Sequence, residues 1–449
     1  MTSPADRVDA DGSGQRPPYD LVGVGLGPFG LSLAALADGL PGLDAVFLEQ
    51  RRSFAWHPGL LLEGATLQVP FLADLVTLVD PTSPWSYLSY LRAHGRLFRF
   101  YLAERFQVPR AEYDDYLRWA ASALNSCRLG QRVDALEWDP AVCAFTLTVT
   151  DTVTQRSRRI AARSVVLSVG TEPSIPTGFT DLVGKHVVHA GNYLDARPAV
   201  LRAGSVTVIG SGQSGAEVFL DLLRAQPSTG SSLRWLTRSP AFAPMEYSKL
   251  GLEHFTPDYT HFFSGLATEV RDRLLPAQWQ LYKGISAATI AEIYDLLYER
   301  TVGGRDVDVV LQPAVAVEAA RAQGPGLLLE CRHTLQDRAF TVATDAVVLA
   351  TGYAPRLPAM LDPLVPLLDL DDRGRYRIDA ERRVALDPAV TGGLYVQNAE
   401  SHTHGVGAPD LGLGAWRSAT ILTAITGRRL VDAAQQGAFT SFGAPTGLA

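Results

Sequence analysis

Two glycine runs of the form G-x-G-x-x-G occur in this chain, Gly25-Leu26-Gly27-Pro28-Phe29-Gly30 and Gly210-Ser211-Gly212-Gln213-Ser214-Gly215. Such a run recurs by chance, so its surroundings decide what it means. Here both surroundings agree. The first run follows the apolar stretch 19–24 and opens the helical pattern 31–37; the second follows 205–209 and opens 216–223. A strand, a glycine turn and a helix start leave backbone N–H groups and the positive end of a helix dipole facing outward, which suits a pyrophosphate. The pattern therefore predicts an α/β chain with two Rossmann-like dinucleotide-binding units.

The strand after each helix separates the two ligands. In the first unit the stretch 45–48 runs into Glu49 and Gln50, and an acid there accepts hydrogen bonds from ribose hydroxyls. In the second unit the stretch 233–236 runs into Thr237, Arg238 and Ser239 with no acid, which suits a 2′-phosphate and so NADPH. Gly210, Gly212, Gln213, Ser214 and Gly215 are the expected pyrophosphate contacts, as Gly25, Gly27 and Gly30 are in the first unit.

At 449 residues the chain has material for about three domains. Its net charge of −7 offers no basic field for nucleic acid or an anionic membrane and is compatible with a small cationic substrate. No apolar run approaches the roughly 20 residues of a membrane span, and the opening segment lacks a signal-peptide core. A cytoplasmic location is expected. Cys127, Cys143 and Cys331 stand apart, with no C-x-x-C pair, so neither a zinc cluster nor a redox disulfide is expected and all three read as packing thiols.

Residues 1–18, rich in Asp, Gly, Ser and Pro, read as a disordered tail. The stretches 164–173 and 345–353 each resemble a buried strand running into a glycine turn, and they bracket the second glycine run. The expected layout is an FAD-binding unit built from 19–175 and 341–449, with an NADPH-binding unit at 176–340 inserted into it. Thr351, Gly352 and Tyr353 would pass close to a cofactor at the crossing. Within the insertion, 243–300 breaks the α/β rhythm and reads as a small helical substrate module. Amphipathic helices are expected over 84–95 and 110–123, with Tyr87, Tyr90, Tyr113, Tyr116 and Trp119 as core aromatics.

The blocks Gly23 to Phe29, Trp56-His57-Pro58-Gly59, Leu67 to Thr77, Asp80 to Pro84, the second glycine run, Ala350-Thr351-Gly352-Tyr353 and His404-Gly405 through Ala415-Trp416-Arg417-Ser418 together resemble the flavin-dependent N-hydroxylating monooxygenases of siderophore biosynthesis. The resemblance spans almost all of the chain from Tyr19 onward. It implies FAD at the first run, NADPH at the second, and Trp56, His57 and Gln68 near the flavin. It also implies a homo-oligomer, dimer or tetramer, and a small aliphatic amine and O2 as the reacting partners.

Amino-acid hydroxylases of that family carry a lysine where this chain has Ala73, and the ornithine enzymes an asparagine near Leu281. Without both contacts a substrate carboxylate would be left unpaired, which is costly when buried. The stretch 279–286 and the ending 438–443 resemble the diamine hydroxylases of desferrioxamine-type pathways. The expected reaction is N-hydroxylation of cadaverine or putrescine through a hydroperoxide on flavin carbon 4a, for a hydroxamate siderophore. L-Lysine N6-hydroxylation is the alternative, with Lys283 replacing the missing lysine; ornithine comes after it. A non-catalytic flavoprotein redox sensor is the reading from a different class. Glu246, Tyr282, Lys283, Glu400, His402, His404 and Asp410 are the candidate substrate-side residues, and no catalytic acid or base is singled out.

Overall fold

The computed structural model describes residues 16–184, 186–430 and 437–444. Two sheets, the first mixed and the second parallel, carry the two glycine runs. In the first sheet the strand Tyr19–Val24 lies between Ala45–Glu49 and Ser157–Leu167, and Cys127–Leu129 extends the edge beyond Ala45–Glu49. Gly393–Val396 adds to Ser157–Leu167 in parallel, while Ala144–Asp151 and Gln131–Asp139 continue the sheet antiparallel. The central strand is an apolar run because both of its faces are covered. Gly23 within it makes room for Phe47, whose ring would lie 2.2 Å from any added Cβ.

The second sheet has the order Val309–Gln312, Ser232–Leu236, Ser205–Ile209, Ala346–Leu349, Val187–His189, all parallel. Ala346–Leu349 therefore belongs to the second unit, which corrects the boundary expected at 340. A short apolar strand carries no mark of the sheet it will join, and its register with Ser205–Ile209 is visible only in three dimensions. A three-stranded antiparallel sheet, Val315–Gln323, Gly326–His333 and Arg338–Thr344, leads into it. The chain crosses between the units at a two-stranded strap in which Tyr353–Ala354 pairs antiparallel with Glu172–Pro173.

The segment expected as one helical module divides. Ala287–Thr301, capped by the Ser286 side chain, packs on the helix Gln213–Thr229 and so covers the second sheet. The shorter helices Pro257–Ser264 and Thr268–Ala277 pack instead on the first unit around Ser401–His404. A buried bidentate ion pair joins the units: Arg110, at the start of the helix Arg110–Ala123, donates to both carboxylate oxygens of Glu217 at 2.8 Å.

The helix expected over 84–95 spans Tyr87–Ala93. Tyr87, Tyr90, Tyr113 and Tyr116 are buried, with Trp119 packed at their margin. Of the expected tail, residues 1–15 lie outside the described residues. Arg16 is anchored by Asp44 and stacks over Tyr19. Cys331 is buried and Cys127 half-buried, but Cys143 is exposed, so the packing reading fails there. No helix among the described residues is long and apolar enough to cross a membrane.

Candidate active site

The two glycine turns share one construction. Gly25 has φ +96, and a Cβ there would meet the Ser168 carbonyl oxygen at 2.4 Å; Gly210 has φ +118, and its Cβ would meet the Ala350 oxygen at 2.3 Å. A Cβ on Gly30 would lie 2.0 Å from the Gly25 oxygen, and one on Gly215 would lie 2.2 Å from the Gly210 oxygen. The outer glycines are thus demanded by the protein's own backbone. The middle ones are not: Gly27 would meet nothing within 4 Å, and Gly212 only the Lys283 oxygen at 3.7 Å. Each middle glycine opens on free space at a helix N-terminus, Pro28–Asp38 and Gln213–Thr229 respectively. A pyrophosphate fits there, where no side chain stands and N–H groups point outward.

At the end of Ala45–Glu49 the Glu49 carboxylate accepts from Leu26 N at 3.0 Å and Arg51 N at 2.9 Å, which fixes it beside the turn; Gln50 follows on the surface. The matching position in the second unit is neutral: the buried Thr237 hydroxyl donates to Ser211 Oγ at 2.9 Å. Arg238 next to it is exposed, and its charge, after burial, lowers the pKa of Lys283. Lys283 is therefore a neighbour of the second cradle. The Gln213 side chain is committed to the protein, accepting from Ser286 N and donating to Glu217 and Thr289, so only its backbone and that of Ser214 face the turn.

An aromatic cluster gathers beside the crossing strap, of which Tyr353 is part. The Trp56 ring sits 5.1 Å from His57 and 5.3 Å from Tyr113, and Tyr353 stands 5.9 Å from His57 and 5.0 Å from His189. His57 adopts a left-handed backbone, φ 46, a conformation that a non-glycine residue holds only when its neighbours enforce it. Desolvation in the cleft, then the charges of Arg110 and Arg51, bring its pKa down to about 4. His189 accepts from Gly191 N and bonds the Gly352 carbonyl at 3.0 Å, tying the crossing strap to the second unit. Thr351 ties it on the other side through Ser174 O at 2.5 Å. Neither His189 nor Arg110 carried a clear sequence signal.

Ala73 is buried on a loop that Asp74 organises, accepting from Val76 N, Thr77 N and Tyr87 N, while Tyr113 donates to Ala73 O at 3.1 Å. Beside it, Tyr247 donates to Gln68 Oε1 at 2.9 Å and to Gln68 O at 3.2 Å. Burial, reinforced by Asp410, pushes the Tyr247 phenol up to about 12. Asp410 also faces Tyr113 and accepts from Gly412 N at 2.8 Å. Ala73, Gln68, Tyr247 and Asp410 thus share one neighbourhood, in which Tyr247 had not been expected.

The other substrate-side candidates are occupied elsewhere. Leu281 packs with Tyr259, Phe263 and Val406, with Tyr282 at the edge of that cluster. Glu246 is exposed and accepts from Ser248 N at 2.6 Å, closing a surface turn. His402 bonds the Tyr376 carbonyl at 2.8 Å. Glu400 is fully buried against Arg417, which in turn lies over Phe29 of the first glycine run. His404 is buried near that pair, and burial with the charges of Arg382 and Arg417 holds its pKa well below the ordinary range.

Residues 17–355 match the family model described as L-lysine 6-monooxygenase/L-ornithine 5-monooxygenase. The rhizobactin siderophore biosynthesis protein RhbE of Rhizobium meliloti is 42% identical over 95% of this chain and 96% of its own. A putrescine N-hydroxylase of Shewanella oneidensis is 39% identical over 100% of this chain and 88% of its own. Among solved structures, the FAD-bound cadaverine monooxygenase DfoA of Erwinia amylovora superposes with a TM-score of 0.93 at 38% identity, covering 96% of this chain and 100% of that one. With two cradles of the right construction and these likenesses over nearly its whole length, the chain belongs to the L-lysine 6-monooxygenase/L-ornithine 5-monooxygenase family and is a flavin-dependent N-hydroxylating monooxygenase using FAD and NADPH.

Proposed function

We propose that this enzyme hydroxylates one terminal primary amine of an aliphatic diamine, cadaverine or putrescine, in the making of a hydroxamate siderophore. The observation that carries this reading is Ala73. It is buried against the Gly412 turn and gives a substrate carboxylate no cation to meet. Lys283, the other cation considered for that role, is coupled to Arg238 at the second cradle. An α-amino acid would then bury an unpaired carboxylate, a cost that a diamine avoids. The named activities of the Shewanella and Erwinia relatives, on putrescine and cadaverine, agree with the reading.

Bound FAD, reduced by NADPH, supplies an electrophilic oxygen from O2, and the substrate must meet it as a neutral amine. A free alkylammonium has a pKa of ~10.4, so about one molecule in a thousand is neutral near pH 7. A desolvating pocket lowers that value. Trp56 and Tyr113 pack edge to face and shed water, and His57, its pKa lowered to about 4, adds no cation to repel the incoming ammonium. Glu49 is set to receive the ribose of FAD, and exposed Arg238 the 2′-phosphate of NADPH.

A colorimetric hydroxylamine assay with cadaverine, putrescine, L-lysine and L-ornithine side by side, with NADPH, tests the reading. A diamine should give the highest kcat/KM. Lysine far ahead of both diamines would overturn the inference from Ala73. Failure of the FAD-loaded protein to oxidise NADPH with any of the four amines would favour a non-catalytic redox sensor.

A further inference from the structure

Asp410 is a carboxylate that forms no direct ion pair among the described residues. It sits in the turn between the helix end at Gly405–Gly407 and the helix Gly414–Thr426, where Gly412 N donates to its Oδ1 at 2.8 Å. The nearest guanidinium, Arg417, is engaged with buried Glu400 and bonds only the backbone oxygen of Asp410. Burial raises its pKa while the Gly412 amide and the Arg417 charge oppose the rise, and no cation is in hydrogen-bonding contact with the half-buried carboxylate. An anion in that condition is stabilised by an incoming cation through a charge-assisted hydrogen bond.

Its surroundings say which cation. A Cβ on Gly412 would touch the Ala73 Cβ at 4.0 Å, so the turn that holds Asp410 lies against the residue whose small side chain leaves room there. Tyr113, which fixes the Ala73 carbonyl, and Tyr247, which grips Gln68, both feel the Asp410 charge. The carboxylate is therefore on the substrate side of the cleft, among aromatic and small apolar groups. We infer that Asp410 anchors the distal ammonium of the diamine, the end that is not oxidised, and so makes the site select a substrate with a cation at both ends.

This assignment rests on the reading of the chain as a diamine hydroxylase and adds to it the residue that recognises the second amine. The same carboxylate acts against amino acids: an α-carboxylate brought beside it meets like charge and no counter-ion. Specificity then has an attractive and a repulsive part built from one residue, and Ala73 contributes by not screening it.

The test crosses the protein's charge with the ligand's. Wild type and Asp410→Asn are assayed with cadaverine and with n-pentylamine, which has the same chain but no distal ammonium. FAD content, and binding followed by the change in flavin absorbance, are recorded for both proteins. Asparagine keeps the turn's acceptor oxygen and removes only the charge. We expect the substitution to raise KM and the dissociation constant for cadaverine 10- to 100-fold while changing those for pentylamine by much less, with FAD content unchanged. Equal losses on both amines, or no loss on cadaverine, would overturn the assignment of Asp410 while leaving the enzyme a diamine hydroxylase. Should Asp410→Asn lose its FAD, Asp410→Glu serves instead: a loss on cadaverine exceeding that on pentylamine supports the anchor, and equal losses overturn it. Wild-type protein that hydroxylates neither cadaverine nor putrescine would overturn the functional reading itself, and the anchor with it.

Discussion

The two nucleotide cradles are the same turn built twice, and they differ where the ligands differ. In each, the outer glycines are forced by carbonyl oxygens 2.0–2.4 Å from where a Cβ would stand, those of Ser168 and Gly25 in one unit and of Ala350 and Gly210 in the other. The strand ends then diverge, with a carboxylate at Glu49 against a hydroxyl pair at Thr237 and Ser211 with exposed Arg238 beyond. The proposed pyrophosphate sites are thus made by backbone geometry, and under the proposed reading the next strand end distinguishes the nucleotides.

The strongest way to break that comparison is to add a methyl group to an outer glycine. Gly30→Ala and Gly215→Ala each push a Cβ onto a backbone oxygen that cannot retreat, at a cost of about 3 kcal/mol or more. The first should yield protein without FAD. The second should keep FAD and lose NADPH-dependent flavin reduction, as read by absorbance and stopped flow. Equal damage to both functions in both variants would mean that the units do not act separately.

Next in size is the link between the units. Glu217→Ala leaves Arg110 buried without its partner, which should cost about 3 kcal/mol in urea denaturation. Middle-glycine substitutions sharpen the contrast further. Gly27→Ala meets no protein atom within 4 Å, so the melting temperature of the apoprotein should stay within about 2 °C of wild type, while FAD affinity falls about tenfold or more. Arg238→Ala should lower kcat/KM for NADPH about tenfold and leave that for NADH nearly unchanged; equal effects on both would remove it as the phosphate ligand.

The smallest effect concerns the histidines on the two sides of the cleft. His57, His189 and His404 all have pKa values lowered mainly by desolvation, that of His57 to about 4. In the unfolded chain each titrates near about 6.5, so the unfolded state binds more protons below that pH. Their contribution is complete above about pH 6.5 and is lost as pH falls toward the folded values. Denaturation midpoints should drop as pH falls from about 6.5 toward about 4, less steeply in His189→Gln.

Much of this was legible in the residues. Both glycine turns announce themselves because strand, turn and helix are local, and the helix Arg110–Ala123 starts and stops where its periodicity does. What failed to show was tertiary. Ala346–Leu349 looks like any buried strand, and only its register with Ser205–Ile209 assigns it to the second sheet. Lys283 read as a substitute for a lysine at Ala73, because sequence distance says nothing of its approach to Arg238. Tyr247 lay unnoticed in a helical stretch, since a single phenol carries no pattern until Gln68 meets it. The glycine turns are adjacent in sequence, whereas Gln68, Ala73, Tyr247 and Asp410 converge from distant segments.

The strand Gly393–Val396 completes the first sheet against Ser157–Leu167, with the whole second unit lying between them in the chain. During synthesis the first sheet cannot gain that neighbour until the second unit has emerged, whereas the second sheet has all five of its strands once Ala346–Leu349 is made. Domains fold as units while the chain is extended, and long-range pairings form late. The inserted unit is thus the earlier to close, and the flavin's own sheet is the last to be finished. Truncation before Gly393 should therefore spare the second sheet and abolish flavin retention.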